Sequence, residues 1–259
     1  MNTSHILALT AACLLAGGGL NGQDALQIVD KASAAVEFPA MEMVATLKIY
    51  DEKGNERVRQ IANASKQFGG VSKNLIKFLS PADVKGTAML VFDSDDRADD
   101  MWIYLPALRK TRRIVSTEKS KSFMGSEFAN ADMSRPNLGQ FTHKLLGTAT
   151  LNGKDCWKVE STCISEEVED ENGFSRKVSF IEKTTYLVQE VDFYDLDNAL
   201  LKKMIFSDYR KQTNGKYFAF RMEMKNVQSG RRSVIAIDKF QLGSQLAEGY
   251  FSTANLEKM

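Results

Sequence analysis

The feature that most constrains the fold is an alternation of apolar and polar residues that begins after Phe38-Pro39 and extends to the C-terminus. In residues 41–49 every second residue is apolar, and Glu42, Thr46 and Lys48 lie between them. Side chains of a β-strand point alternately to its two faces, so each such segment predicts a strand. Short turns containing Asp, Asn or Gly separate the segments, as in an antiparallel meander. We therefore predict a mainly β protein whose sheet, of about 11 strands, forms an incomplete antiparallel barrel closed by a few helices.

Two segments lack this alternation. Residues 24–36 place apolar side chains three and four positions apart behind Asp24, which predicts a capped helix. Residues 116–140 show no strand pattern. Irregular segments of this length inside a β-domain are uncommon unless they are functional or mobile.

The N-terminus is typical of an export signal. Residues 6–20 are apolar or small and uncharged, and the run is shorter than the ~20 residues that a membrane-spanning helix needs. We predict that residues 1–22 form a signal peptide cleaved near Gly22, and that residues 23–259 form a single exported β-domain. Small residues also precede Cys13. A second hypothesis is therefore that Cys13 is lipidated and tethers the protein to a membrane.

The composition and motifs argue against several classes of function. The formal net charge is +1, so the charge of the whole molecule gives no reason to expect nucleic-acid binding. No cluster of His, Cys, Asp or Glu has the spacing of metal ligands, and no glycine-rich loop precedes a helix, so we expect neither a metal nor a cofactor. Cys156 and Cys163 lie seven residues apart in one predicted strand, beyond disulfide reach, and are interpreted as lone thiols.

The inward-facing positions of the predicted sheet are rich in methionine and phenylalanine, and the chain contains 11 Met and 15 Phe. Methionine is flexible and adapts to varied apolar guests, which favours a ligand cavity, whereas a large filled core is the alternative. The residues assigned to this cavity are Met43, Leu47, Phe78, Met89, Met101, Trp102, Ile103, Tyr104, Phe218, Phe220 and Met222. Alternate side chains of residues 101–105 face opposite ways, so one set lines the cavity and the other faces helices or the exterior.

We interpret the irregular segment from residue 123 to residue 141 as a lid over the mouth of this cavity. Its apolar residues are sparse, namely Phe123, Met124, Phe128 and Met133. A lid must be only marginally stable in order to open, which agrees with that sparse apolar content. An ordinary irregular loop is the alternative.

Residues 100–114, DMWIYLPALRKTRRI, resemble the central motif of the LolA-like outer membrane lipoprotein-sorting protein family. Residues 125–128, GSEF, followed by Asp132-Met133, are similar to its next block, and further similarity extends through residues 193–209, 214–230 and 251–257. The resemblance implies a LolA/LppX-like incomplete β-barrel with a lipid-sized apolar cavity. It also implies a monomeric periplasmic carrier of lipid or lipoprotein acyl chains, with an inner-membrane transporter of the RND or ABC type as its partner.

A cluster of basic residues follows Pro106. Arg109, Lys110, Arg112 and Arg113 concentrate positive charge at the end of the motif. One interpretation is contact with anionic lipid head groups or with an acidic transporter surface. The alternative is a solvated edge strand that its charges protect from aggregation.

Two further functions remain as alternatives to the carrier. The first is a lipid hydrolase that uses the same pocket, in which His143 would have to act because the only other histidine is His5. No Gly-x-Ser-x-Gly elbow is present, so we assign no catalytic residue and expect His143 to be a strand-edge residue. The second is a structural envelope lipoprotein with a filled core.

Overall fold

The computed structural model describes residues 22–94 and 97–258, in which thirteen strands form one antiparallel sheet. The strands are β1 (Ala40–Tyr50), β2 (Glu56–Phe68), β3 (Val71–Ser80), β4 (Ala88–Ser94), β5 (Asp100–Leu105), β6 (Lys110–Ile114), β7 (Phe141–Leu151), β8 (Lys154–Cys163), β9 (Arg176–Glu182), β10 (Val188–Tyr194), β11 (Leu200–Lys211), β12 (Tyr217–Asn226) and β13 (Arg232–Leu242). Residues 1–21 of the predicted signal peptide, with Cys13, lie outside the described residues.

The order of the strands leaves the sheet open. Neighbours run β6-β5-β4-β3-β2-β1-β13-β12-β11-β10-β9-β8-β7, so β6 and β7 are its two edges. The first strand pairs with the last, β1 with β13, and this seam joins the two halves of the sheet. The predicted incomplete antiparallel barrel is confirmed. The sheet has thirteen strands, against the predicted number of about 11.

Turn residues explain how neighbouring strands are joined. After β1, the Asp51 carboxylate accepts hydrogen bonds from the backbone N–H groups of Lys53 and Asn55, both at 2.9 Å, and so closes the predicted hairpin. Between β7 and β8, Asn152 and Gly153 have φ values of 51° and 79°. Two successive positive φ angles are required by the type I′ turn that suits a two-residue hairpin.

A few helices accompany the sheet. They are α1 (Gly22–Ala35), α2 (Ser116–Lys119), α3 (Glu166–Asn172) and α4 (Thr253–Leu256), with single 3₁₀ turns at Pro106–Leu108, Ala131–Met133, Leu138–Gln140 and Glu248–Tyr250. Helix α1 confirms the predicted helix and packs on β7 to β9 through Ala25, Ile28 and Ala32. In the described part of the chain, no helix is long and apolar enough to cross a membrane.

Both faces of the sheet are partly buried. The main core lies on the inner face, where Leu47, Phe78 and Met89 pack together. On the outer face, residues 246–256 of the C-terminal segment cover β2 to β5, and Phe251 and Leu256 are fully buried there. β4 is therefore buried on both sides, which explains its nearly continuous apolar sequence.

Candidate functional site

The segment between the two edge strands, residues 115–140, is called the linker below. Because β6 and β7 are opposite edges of an open sheet, the chain that joins them must cross the open side of the barrel. The first part of the linker, residues 115–130, fills the interior of the barrel near β3. Phe123 and Phe128 are each only 1% exposed, and the Phe123 ring centroid lies 5.6 Å from that of Phe78 on β3.

Polar contacts hold this first part in place. The guanidinium of Arg59 donates a hydrogen bond to the carbonyl of Met124. The backbone N–H of Glu127 donates to the Ser233 hydroxyl at 2.9 Å, and its carboxylate pairs with Arg231 at 2.9 Å. The partners lie on β2, on β13 and just before β13. The first part of the linker is thus a fixed plug between the two halves of the sheet.

The second part of the linker, residues 131–140, covers a cavity of about 400 Å³. This volume lies within the ~300–1,000 Å³ range of small-molecule sites. Its walls are α1, the end of α3 and the inner face of β7 to β12. Apolar side chains predominate, among them Val36, Phe141, Val191, Phe193, Met204 and Phe206. Such a lining favours the hydrocarbon part of a ligand.

A row of polar side chains crosses three of the strands that line this cavity. His143 on β7 pairs in register with Ser161 on β8, and Ser161 pairs with Lys177 on β9. All of them line the cavity, together with Ser179 two residues further along β9. A mostly apolar pocket with a few convergent polar groups is the usual arrangement of a ligand site.

The hydrogen bonds of His143 determine how its ring is protonated. Nε2 lies 3.2 Å from the carbonyl oxygen of Leu138, which can only accept, so Nε2 holds the proton. Nδ1, 2.9 Å from the Ser161 hydroxyl oxygen, then accepts from that hydroxyl. Burial lowers the pKa of His143, which favours this neutral ring.

The His143–Ser161 contact has the length expected between a base and a nucleophile, but the described residues around it do not supply the other parts of a hydrolase. The second ring nitrogen contacts a backbone carbonyl where a triad would place a carboxylate. Ser161 is 1% exposed and lies within β8, two residues before its end, and not on a strand-to-helix turn as the nucleophile of an α/β-hydrolase does. The geometry therefore favours binding over hydrolysis.

Most residues that the sequence assigned to the cavity lie elsewhere on the sheet. Met222 lines the cavity. Leu47, Phe78, Met89, Met101 and Ile103 are buried in the inner core, in the cluster that contains Phe123 and Phe128. Met43, Phe218 and Phe220 are partly buried against the same core. The cavity thus lies on the β7 to β12 side, because the plug fills the interior near β3.

The alternation on β5 is resolved by the structure. Met101 and Ile103 face the inner core. Trp102 and Tyr104 face outward and pack under the C-terminal segment, where Trp102 meets Phe92 with ring centroids 5.0 Å apart. They are on the opposite side of the sheet from the cavity.

The remaining predicted residues belong to the linker and the basic cluster. Met124 and Met133 are partly buried against the inner core. In the basic cluster, Arg112 pairs with Glu118 at 2.6 Å and Arg113 pairs with Asp100. Arg109 and Lys110 are exposed at the turn between β5 and β6, where Arg109 has a φ of 47°.

Sequence reasoning missed the cavity residues on β7 to β11. On β9, Val178 and Phe180 alternate with Lys177 and Ser179, so the apolar set predicts the opposite face as the inner one. The structure places Lys177 and Ser179 inside. No signal in the alternation could have identified this face, because only the tertiary arrangement determines it.

Comparisons with known proteins agree with this geometry. A family model described as "-like: Uncharacterized protein" matches residues 70–258. A solved outer membrane lipoprotein-sorting protein domain from Vibrio parahaemolyticus is 29% identical, with a TM-score of 0.85, over 92% of this chain and 100% of that one. A DUF1329 family protein from Desulfovibrio piger is 29% identical, with a TM-score of 0.84, over 90% of this chain and 98% of that one.

A more distant structure shares the fold. A LolA superfamily protein from Nitrosomonas europaea is 20% identical, with a TM-score of 0.71, over 89% of this chain and 98% of that one. No curated protein sequence matches the chain.

Proposed function

Because the chain belongs to the LolA-like family of outer membrane lipoprotein-sorting proteins, we propose that it is a periplasmic carrier that binds an acyl chain of a lipid or lipoprotein. The observation that supports this most directly is the apolar cavity of about 400 Å³ beneath the linker. Each CH₂ group that moves from water into such a cavity contributes about 0.8 kcal/mol. Several buried methylenes therefore give useful affinity without any covalent chemistry.

The linker acts as the lid of this carrier. Its first part remains anchored, whereas residues 134–140 move to admit the chain. Pro136 and Gly139 in this part are exposed or half-exposed at the surface, in contrast to the buried Phe123 and Phe128. Elements that open for a ligand come from the less stable parts of a fold.

Export and partners complete the proposal. The signal peptide directs the chain to the periplasm, where it is soluble or, if Cys13 is acylated, tethered. An inner-membrane transporter of the RND or ABC type delivers the cargo, and the basic cluster contacts anionic head groups or that transporter. The mass of the mature N-terminus tests the predicted signal peptide, because a diacylated Cys13 would contradict cleavage near Gly22.

A cavity-filling variant tests acyl binding. Ser179 lines the cavity in the middle of β9. We expect Ser179→Phe to weaken the binding of dodecanol by about tenfold or more, since the added ring occupies space for several methylenes. Native mass spectrometry of protein purified from its own envelope, followed by lipid extraction, should also show less bound lipid.

The matched control is Thr162→Phe, a similar enlargement on the outer face of the neighbouring strand β8. It should bind dodecanol like the wild type. If Ser179→Phe folds and binds normally, or if the wild type neither contains lipid nor binds dodecanol, the carrier proposal is wrong.

A further inference from the structure

Lys177 lines the cavity, and two aromatic rings lie near its ammonium group. The Nζ atom is 4.5 Å from the ring centroid of Phe141 and 5.8 Å from that of Phe174. Within the described residues, no hydrogen bond or ion pair joins this ammonium to another group. The rings stabilise a cation in part, but they accept no conventional hydrogen bond. The donors of Lys177 are therefore left without an acceptor.

The other basic groups around the cavity have acidic partners. Lys119 pairs with Glu171 at 3.4 Å, and Arg135 pairs with Asp93 at 3.2 Å. Near Lys177, the carboxylate of Asp132 pairs with Lys202 at 3.6 Å and accepts a hydrogen bond from the N–H of Ala129 at 2.7 Å. Asp132, the carboxylate whose charge acts on Lys177, is thus already paired with other groups.

One further carboxyl group lines the cavity. Asp99 is this group, and burial together with the neighbouring charge of Asp93 raises its pKa. Its negative form is therefore disfavoured. Burial also lowers the pKa of Lys177, so an anion bound there would restore the charged ammonium.

We propose that Lys177 binds the carboxylate of a long-chain fatty acid whose hydrocarbon part fills the apolar remainder of the cavity. This inference rests on the proposed acyl-binding function and specifies its ligand. A single unpaired ammonium matches the charge of a carboxylate, whereas a phosphate dianion would call for a second cation. The Ser179 hydroxyl, two residues away on the same face of β9, also lines the cavity and is a further hydrogen-bond donor on that wall.

The test compares two ligands with the same chain, laurate and dodecanol, by calorimetric titration of the full mature protein. We expect the wild type to bind laurate more tightly than dodecanol. Lys177→Met keeps a similar length but removes the charge, and should weaken laurate binding by about 10- to 100-fold while leaving dodecanol binding unchanged. Lys177→Arg should retain the preference for laurate.

The control is Lys158→Met, which removes a lysine from the outer face of β8, where its ammonium lies 5.6 Å from the Phe180 ring centroid. It should leave both ligands unaffected. If Lys177→Met weakens neither ligand, or weakens both equally, the carboxylate assignment is wrong although acyl binding stands. If the wild type binds neither ligand, the carrier proposal itself fails. If Lys177→Met does not fold, the comparison of Lys177→Arg with Lys177→Gln decides in the same way.

Discussion

Two basic side chains that line the cavity, His143 and Lys177, differ in how the surrounding protein satisfies them. His143 and Lys177 lie on either side of Ser161, and both have a pKa lowered by burial. Both ring nitrogens of His143 have hydrogen-bond partners within the protein, whereas no residue of ranges 22–94 and 97–258 accepts a hydrogen bond from the ammonium of Lys177. The histidine is thus part of the wall, and the lysine is the group available to a ligand.

The buried state of His143 predicts a pH dependence of stability. Its pKa is lower in the folded protein than in the unfolded chain, where it is about 6.5. As the pH falls below that value, the unfolded state binds the proton first, so the free energy of unfolding decreases until the pH reaches the folded-state pKa. We expect the urea midpoint of His143→Gln to fall less than that of the wild type between about pH 7 and pH 5.

An NMR titration of the His143 imidazole measures its pKa independently. The signal is unambiguous because the only other histidine, His5, lies in the predicted signal peptide. The imidazole C–H resonance should titrate below the pH expected for an exposed histidine. Equal acid sensitivity of the two proteins would contradict the prediction.

At the scale of single residues, the sequence predicted which residue types face the interior better than it predicted which residues line the cavity. Alternation correctly separated the two faces of β5 but left open which one is inner. The methionine and phenylalanine residues near β3 to β5 do face inward, yet Phe123 and Phe128 occupy the space in front of them. Which part of an apolar face stays unfilled depends on a distant segment, and local periodicity contains no information about that.

Among the elements, the linker is the one whose two parts differ most. Its first part is buried and bonded to β2 and β13. The second part is fastened by Arg135, whose guanidinium pairs with Asp93 at 3.2 Å and with Glu37 at 3.0 Å. The backbone N–H of Arg135 also donates to Asp93 at 2.7 Å. Movement of the second part of the linker away from the cavity must therefore break these contacts of Arg135 with Asp93 and Glu37.

Arg135→Leu should make the second part of the linker open more often. Loss of charged hydrogen bonds to the buried Asp93 contributes on the order of 1–3 kcal/mol, so amide exchange in residues 134–140 should accelerate by about tenfold or more. Exchange in residues 123–128 should change little. Dodecanol should dissociate faster in stopped-flow measurements.

Arg210→Leu is the matched control. Arg210 pairs with Asp208 at 2.6 Å, but both side chains are about half exposed, so this pair contributes little. If Arg135→Leu and Arg210→Leu have the same exchange rates in residues 134–140, Arg135 does not fasten the lid.

The sequence predicted the existence of the linker accurately, since the loss of alternation over residues 116–140 coincides with the gap between β6 and β7. It could not predict that this gap spans the two sheet edges. That fact follows from the pairing of β1 with β13, which joins residues about two hundred positions apart and is not encoded in any local pattern.

For the whole molecule, the small net charge conceals a local concentration of positive charge. The chain has a formal net charge of +1, yet Arg109 and Lys110 are exposed together at the β5–β6 turn beside an edge of the sheet. Arg112 and Arg113 are engaged with Glu118 and Asp100, so the turn residues are the better probes of a surface contact.

The double variant Arg109→Glu with Lys110→Glu should bind anionic vesicles at least about tenfold more weakly, since each basic side chain near such a surface contributes about 1 kcal/mol. Co-sedimentation with vesicles containing phosphatidylglycerol measures this. Lys53→Glu with Lys211→Glu changes the same charge at other exposed lysines and should have a much smaller effect. Similar losses in both double variants would indicate a response to net charge alone.

The seam between β1 and β13 also affects when this protein can fold. The halves β1 to β6 and β7 to β13 are joined in the sheet only where the first and last strands meet. During synthesis the final strand is made last. Until then β1 lacks its β13 neighbour, and the two halves of the sheet cannot join. The complete inner surface that carries the cavity therefore forms only after the last strand of the chain has been made.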